Sequence, residues 1–222
     1  MTRYIRLLSI ILMLQFFGIN GCAGSKVDQD EVKKANQFFE SVFQDRVLDS
    51  PEFQSRLGYK SNYDQWDDIT YERSRKNARN AIFDLDYLND NINIEKLDSK
   101  TAISYRLMEK SLERRIDSDD FLFRQYMVTH RGGKHSSIPS FLINYHAIED
   151  ERDVQDYIGR LRNIEPLIKD LINEMSLREE VGTIAPMFVF PKAIAVSKNI
   201  ISGYPFEEGK KLNVIYEDFV KK

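Results

Sequence analysis

Apolar residues recur at intervals of three and four along most of this chain, and the alternating pattern of a half-buried strand is scarce. Val32, Ala35, Phe39 and Val42 form the first such stripe. Side chains with this spacing share one face of an α-helix, so each stripe is expected to pack against a neighbouring element. The repetition of the pattern predicts an all-α, multi-helix domain of about seven or eight helices.

Residues that start and stop helices divide this pattern into segments. Ser50 before Pro51 predicts a short helix through Leu57, and Thr70 is the predicted N-cap of a helix that ends near Asn91. The next predicted helix spans residues 100–116, and a further one, capped by residues 118–120, carries Phe121 to Met127. Pro139 and Asp150 are the predicted starts of two more helices. Another predicted helix ends before Gly182, and it either starts at Pro166 or continues the preceding helix with a kink there.

The last third of the chain is unusually apolar. Residues 186–201 are a continuous apolar run, which predicts a buried helix, with pairing of residues 187–190 as a short strand as the alternative. Residues 213–222 have the pattern of an amphipathic helix without a capping glycine or a polar tail. We therefore expect the helical domain, residues 31–222, to be truncated at its C-terminus and to pack against its missing C-terminal half.

Residues 1–21 have the three-part organisation of a secretory signal peptide. Arg3 and Arg6 supply the positive start, and the apolar run of residues 7–18 follows them. This run is too short to span about 30 Å of hydrocarbon as a stable anchor, but it suits a signal core. We expect the segment to direct export and then to be removed.

The sequence Ile19-Asn20-Gly21-Cys22 resembles the lipobox of bacterial lipoproteins, with Asn20 as a less usual residue. The chain has one cysteine, and it occupies the position that is acylated in such proteins, so we expect lipid to anchor the chain through Cys22. The alternatives are an N-terminal transmembrane helix or an ordinary secretory signal. Residues 22–30 then form a lipidated tether. Ala23, by resemblance to Gram-negative lipoproteins, favours the outer membrane, facing the periplasm.

The composition excludes several classes of function. Hydrophobic residues make up 42% and charged residues 30%, which is a globular balance. The net charge is −3 with both signs well mixed, so no nucleic-acid partner is expected. A single cysteine excludes an internal disulfide and a metal site built mainly from thiolates. No phosphate-binding, metallopeptidase or serine-hydrolase motif is present, so the residues by themselves predict no catalytic group and no metal ligand.

Two sets of histidines are the remaining candidates. His130 and His135 flank the Gly132-Gly133 break and could converge on a ligand, although a role in capping or in the core is the commoner outcome. His146 and Glu149 have the spacing of one helix face, which can serve a metal, but two ligands do not make a site. We interpret that pair as an ordinary feature of a helix surface or end.

Four stretches of the chain together resemble a bacterial family, domain-of-unknown-function family 885. Residues 133–146 (GKHSSIPSFLINYH) are similar to its Gly-x-His-Ser-x-x-Pro stretch, which leads through aliphatic residues to a histidine. Residues 157–164 (YIGRLRNI) resemble its Tyr-x-x-Arg-Leu-x-x-Ile run, and residues 178–186 (REEVGTIAP) its Arg-x-x-x-Gly-hydrophobic-x-Pro. Residues 104–113 are similar to its preceding helix. The resemblance covers about residues 40–220.

This resemblance implies a helical fold, a lipoprotein leader and a distant relationship to gluzincin-type zinc peptidases. Members are usually much longer than this chain, and their metal motif lies in a C-terminal half that nothing here matches. The chain would then be the N-terminal half, supplying helices of a substrate channel, with zinc only in the full-length parent and no cofactor here. His135, Ser136 and His146 would be substrate contacts; a purely structural turn is the alternative.

We therefore expect a fragment of a cell-envelope peptidase or hydrolase that is inactive alone and whose parent acts on a peptide or small-molecule substrate. A complete, non-enzymatic helical lipoprotein that acts as a binding or scaffold module is the alternative. A two-lobed solute-binding protein fits less well, because the alternation of strands and helices that builds such proteins is absent.

Overall fold

A computed structural model of the protein describes residues 27–222. The predicted signal peptide, Cys22 and all but the end of the predicted tether lie outside the described residues. Between residues 27 and 222 the chain forms α-helices and no β-strand, so the prediction of an all-α fold is confirmed.

The helices are α1 (Gln29–Leu48), α2 (Pro51–Arg56), α3 (Tyr71–Asn91), α4 (Ser99–Asp119), α5 (Lys134–Tyr145), α6 (Glu151–Arg162), α7 (Ile164–Glu180), α8 (Val189–Ile200) and α9 (Val214–Lys221), with 3-10 turns at Ile94–Lys96 and Leu122–Arg124. The connections before α3, α5 and α9 are 13 or 14 residues long, and the others are shorter.

Most of the predicted helix starts are confirmed. The side chains of Ser50, Thr70 and Asp150 each accept a hydrogen bond from the backbone amide three residues later. Asp28 does the same for the amides of the first turn of α1, so that helix begins inside the predicted tether, two residues before the predicted domain. Gly182, at a φ of 79°, follows the end of α7, as its position in the sequence predicts.

Two predicted starts are wrong. Residues 118–120 do not cap a new helix, because α4 continues through Asp119 and only a 3-10 turn follows. Pro139 does not open α5, which begins five residues earlier at Lys134. The carbonyl of Gly133 accepts hydrogen bonds from the amides of Ser136 and Ser137, both at 3.0 Å, so the first turn closes ahead of the proline.

The apolar run of residues 186–201 is a helix and not a strand, but it is not buried. In α8 only Val189 and Ala193 are buried, whereas Ile194 is 52% exposed and Met187, just before the helix, is 81% exposed. The apolar character of a segment therefore predicted its secondary structure here but not its burial. Of the two alternatives at Pro166, the new helix is found, because α6 ends at Arg162 and α7 begins at Ile164.

Two clusters of buried apolar residues lie in different parts of the chain. The first joins α1, α3 and α4 and includes Ala35, Ala81, Leu88, Tyr105 and Leu112. The second joins the loop before α3 to α5, α6 and α7, and consists of Trp66, Ile138, Phe141, Leu142, Tyr157 and Leu167. Side chains of α9 pack against the second cluster.

Candidate functional site

A groove of about 280 Å³ lies between α7 and α8 and is closed on one side by residues 126–128. Its apolar lining includes Met127, Val128, Ile172, Met175, Ile184, Val189, Phe190 and Ala193, and its polar lining includes Ser176, Glu179 and Thr183. Sites for small ligands are typically concave and mostly apolar, with a few polar groups that fix orientation. The groove has this character, and it is our candidate site.

A buried ion pair positions one wall of the groove. Nη1 of Arg178 donates to Oε2 of Glu174 at 2.8 Å, one turn earlier in α7. The same guanidinium donates to the carbonyls of Gln125 and Leu122, both at 3.1 Å. Because residues 126–128 follow directly, these bonds fix the segment that closes the groove against α7.

The carboxylate of this pair also accepts a hydrogen bond from the N-terminus of another helix. Oε1 of Glu174 accepts a hydrogen bond from the amide of Tyr71, the first residue of α3, at 2.7 Å. Burying a charged pair costs free energy unless further hydrogen bonds satisfy both partners, and here they do. One pair therefore fixes α3, α7 and the wall of the groove relative to one another.

The glycine turn continues this wall. Gly133 has a φ of 145°, and a Cβ atom there would lie 2.6 Å from the carbonyl oxygen of Met127. The imidazole of His130, in the same turn, makes an edge contact with the ring of Phe188, with centroids 5.3 Å apart. The turn therefore lies against the start of α8, on the groove side of the molecule.

His135 and Ser136, predicted as substrate contacts, lie in the first turn of α5. His135 is buried, which lowers the pKa of its imidazole, and its Nδ1 has no hydrogen-bond partner among the described residues. The hydroxyl of Ser136 donates to the carbonyl of Gly133 at 3.0 Å. Neither residue lines the groove. Met127 and Val128 do line it, and they contact the turn at Gly133 that precedes His135. Their role in substrate binding stays a prediction.

His146, the third predicted contact, is completely buried. It follows the last residue of α5, so the interpretation of His146 and Glu149 as neighbours on one helix face is wrong. Its Nδ1 lies 3.1 Å from Nη1 of Arg160, and its Nε2 lies 3.2 Å from the carbonyl oxygen of Asp153. Burial lowers the pKa of His146 to about 4. A substrate reaches this ring only if the surrounding contacts open.

Arg160, on α6, is the centre of these contacts and is also completely buried. Nε donates to the carbonyl of Gln65 at 3.1 Å, and Nη2 donates to Oγ of Ser55 at 3.0 Å. Its guanidinium also lies 4.9 Å from the ring centroid of Phe141. Burial lowers the pKa of Arg160 to about 10, so the side chain stays charged at neutral pH.

Asp153 completes the network at the start of α6. Its carboxylate accepts from Nζ of Lys60 and from the amide of Glu149, at 2.7 Å and 2.8 Å. Burial raises the pKa of Asp153, but these hydrogen bonds outweigh it, so the net shift is downward. The polar groups of Arg160, His146 and Asp153 are therefore used in holding the loop of residues 60–65 and the α5–α6 connection together.

Neither buried arginine was predicted to be important, yet both lie in stretches that carry the family resemblance. Arg160 is the arginine of residues 157–164, and Arg178 begins residues 178–186. The sequence signal for both was a charged residue among the apolar residues of a helix stripe, because a charged side chain that is buried there needs partners.

The described residues do not fit a metal centre. Among residues 27–222, no group of three or more His, Cys, Asp or Glu side chains is placed to hold a metal ion. A zinc site thus has no ligand set in this part of the chain, and we assign no metal-dependent step to it.

The sequence profile of a family described as "Bacterial protein of unknown function (DUF885)" matches residues 51–222. The chain belongs to this family. The DUF885 match runs from the start of α2 through α9, so it contains the groove, the glycine turn and both buried arginines, whereas α1 lies before it. No curated protein and no solved structure matches the chain.

Proposed function

We propose that this DUF885 protein is a lipoprotein of the bacterial cell envelope, anchored through Cys22 in the outer membrane and facing the periplasm, whose helical domain binds a peptide in the groove between α7 and α8. The groove would be this chain's part of the substrate channel of a peptidase-like protein. Zinc chemistry, where the parent protein performs it, would then lie outside residues 27–222.

The observation that carries this proposal is the construction of the groove. Its lining is apolar, its wall is held by the fully hydrogen-bonded pair of Glu174 and Arg178, and Ser176 and Thr183 offer polar groups at its edge. An extended peptide presents both apolar side chains and backbone polar groups, so it matches this combination. A preformed wall also lowers the cost of ordering the site on binding.

A non-enzymatic binding module remains the second candidate, and one observation favours it. The groove contains no histidine or cysteine and one exposed carboxylate, Glu179, so its lining offers no imidazole, thiol or second carboxylate to act with Glu179 in acid–base chemistry. Both candidates need the same groove. They differ in whether a bound peptide is cleaved, which mass spectrometry of the peptide after incubation with the protein shows directly.

Binding is tested with a matched pair of substitutions. Ile172 lines the groove and is 56% exposed, whereas Ile103, on α4, is 60% exposed and lies outside it. The probe is a fluorescein-labelled decapeptide of alternating leucine and serine, and a serine-only decapeptide is the reference. We expect Ile172→Glu to weaken binding of the leucine peptide at least tenfold, since it places a charge against apolar side chains, and Ile103→Glu to leave it unchanged.

The result that overturns the proposal is equal binding of the two peptides by the unsubstituted protein, or equal loss in the two variants. Both replaced side chains are exposed, so the fold should tolerate them; circular dichroism spectra that match those of the unsubstituted protein verify this.

A further inference from the structure

Exposed apolar side chains form a stripe along one side of α8 and of the residues that flank it, and one of them, Phe190, also lines the α7–α8 groove. Met187, Phe190, Ile194 and Ile201 are 81%, 36%, 52% and 61% exposed, respectively. Their spacing, at three, four and seven residues, places them on one side of a helical path, while Val189 and Ala193 are buried on the other. Large exposed apolar patches on a protein mark surfaces that bind something.

The charge around this stripe is distinctive. Residues 181–206 contain no Asp or Glu, although the whole chain has 35 of them and a net charge of −3. The charged side chains of this stretch are Lys192 and Lys198, both exposed. Lys198 follows Ile194 by four residues and so lies along the stripe. Lys192 precedes Ile194 by two residues and lies on the opposite side of the helix, so the stripe itself is apolar, with one lysine and no acidic residue from its own stretch.

The exposed apolar residues of α4 lack this combination. Ile103 and Leu107 on α4 are 60% and 64% exposed, but the same helix carries Glu109 and Glu113 beside Arg106 and Lys110. A surface of mixed sign gives no preference for an anionic partner. The charge distribution thus distinguishes α8 from α4.

A helix with this character matches the interface of a bilayer rather than its interior. At 12 residues, α8 is about 18 Å long, well short of the roughly 30 Å hydrocarbon core. Among residues 27–222, no helix is both long and apolar enough to cross a membrane. Helices with apolar residues on one face and lysines beside them lie in the plane of the headgroups instead, where anionic lipid attracts the lysines.

We propose that the outer face of α8 docks on an anionic phospholipid surface, with Met187, Ile194 and Ile201 entering the acyl boundary and Lys198 contacting the lipid phosphates. The buried contacts of Val189 and Ala193 stay in place, so docking requires no unfolding. Ile194 does not line the α7–α8 groove, and the docking does not depend on acylation of Cys22, so the inference stands apart from the proposed function.

The test uses the full chain in a cysteine-free background, which the single substitution Cys22→Ser provides. One protein carries Ile194→Cys and a second carries Ile103→Cys, and each is labelled with the environment-sensitive fluorophore NBD. The leader is present in both, so the comparison reports the local contact of the label. Vesicles are made of phosphatidylglycerol with phosphatidylethanolamine, or of phosphatidylcholine alone, and lipids with doxyl groups near the headgroup serve as quenchers.

We expect the label at position 194 to shift to shorter wavelength and to be quenched with the anionic vesicles, and the label at position 103 to show neither change. Replacing Lys198 by glutamine should weaken the anionic-vesicle response about fivefold. The same replacement of Lys33 and Lys76, which are exposed on α1 and α3, should leave the response intact.

Three results overturn the inference. The first is an equal response at positions 103 and 194. The second is a label at 194 that is already shielded without vesicles and becomes exposed on dilution, because a second copy of the chain then covers the stripe. The third is shielding at every dilution, since polypeptide of the same chain then covers it. Loss of peptide binding in Ile172→Glu with an intact response at 194 concerns the groove alone.

Discussion

Nδ1 of His146 lies 3.1 Å from Nη1 of Arg160, and both side chains are completely buried. A guanidinium has only donors, so Nδ1 must accept and the proton of the neutral ring must be on Nε2, which then donates to the carbonyl of Asp153. A second proton on the imidazole would point at the guanidinium. Burial and this contact together keep His146 neutral at the centre of the α5–α6 connection.

Acid should therefore destabilise the protein through His146. Its pKa falls from 6.5 to about 4 on folding, so between these values the unfolded chain binds more protons, and stability decreases as the pH falls. We expect unfolding by urea to show a loss of about 2–3 kcal/mol between pH 7.5 and 4.5. In His146→Gln this loss should shrink by that amount, and an unchanged pH dependence would refute the assignment.

Replacing Arg160 with methionine should cost about 3 kcal/mol or more, because its partners, among them Ser55 and His146, lose their hydrogen bonds inside the protein. Arg152, on the same helix, provides the control. Its side chain is 80% exposed, and its ion pair with Asp156 is long, at 3.9 Å. Arg152→Met should therefore change the free energy of unfolding by less than about 0.5 kcal/mol. Similar losses in the two variants would mean that the buried network contributes little.

The two glycines of the turn before α5 should respond differently to alanine. At Gly133 a Cβ would meet the carbonyl oxygen of Met127 at 2.6 Å and φ is 145°, so Gly133→Ala should lose about 2–3 kcal/mol. At Gly132 nothing lies within 4 Å, so Gly132→Ala should be neutral or slightly stabilising. Thermal melts of both variants measure this, and a tolerated alanine at 133 would show that the turn is not fixed as described.

Glu174→Gln should weaken both the fold and the groove. The substitution removes the charge that faces Arg178 and disturbs the cap of α3, for an expected cost of about 3 kcal/mol. Glu165→Gln provides the comparison, because the pair of Glu165 with Lys169 on the same helix is exposed. This substitution should cost less than about 0.5 kcal/mol. Peptide affinity should fall only in the first variant, and an unaltered affinity there would separate the ion pair from the groove.

Cys22 is expected to carry lipid. In a bacterial host given tritiated palmitate, the full chain should be labelled and should fractionate with membranes, because two or more acyl chains give stable anchoring. Cys22→Ser should lose the label. Labelled Cys22→Ser protein, or unlabelled protein with Cys22 intact, would contradict the lipobox interpretation.

Local chemistry made the fold predictable where it operates within a few residues. Ser50, Thr70 and Asp150 cap helices at the predicted places because the amides that they satisfy are three residues away. Pro139 led to a wrong predicted helix start, because another local contact takes precedence there. It is a good first residue of a helix, but the preceding glycine carbonyl had already closed a turn.

The candidate site depends on contacts between distant parts of the chain, and no local sequence pattern predicts which residues make these contacts. Arg178 reaches carbonyls more than fifty residues earlier in the chain, and Arg160 joins Ser55 across an even longer separation. The exposure of α8 was unpredictable for a related reason. Its pattern specifies an apolar helix, but which neighbour covers such a helix is decided by tertiary structure.

The hydrogen bond from the amide of Tyr71 to Glu174 spans 103 residues of sequence. Because the chain emerges N-terminus first, α3 is available before Glu174, so its first turn waits with one amide capped only by water. The first apolar cluster, which needs nothing beyond α4, can assemble in that interval. Completion of α7 then fixes the start of α3, and the groove forms only when α8, the next helix, packs beside α7.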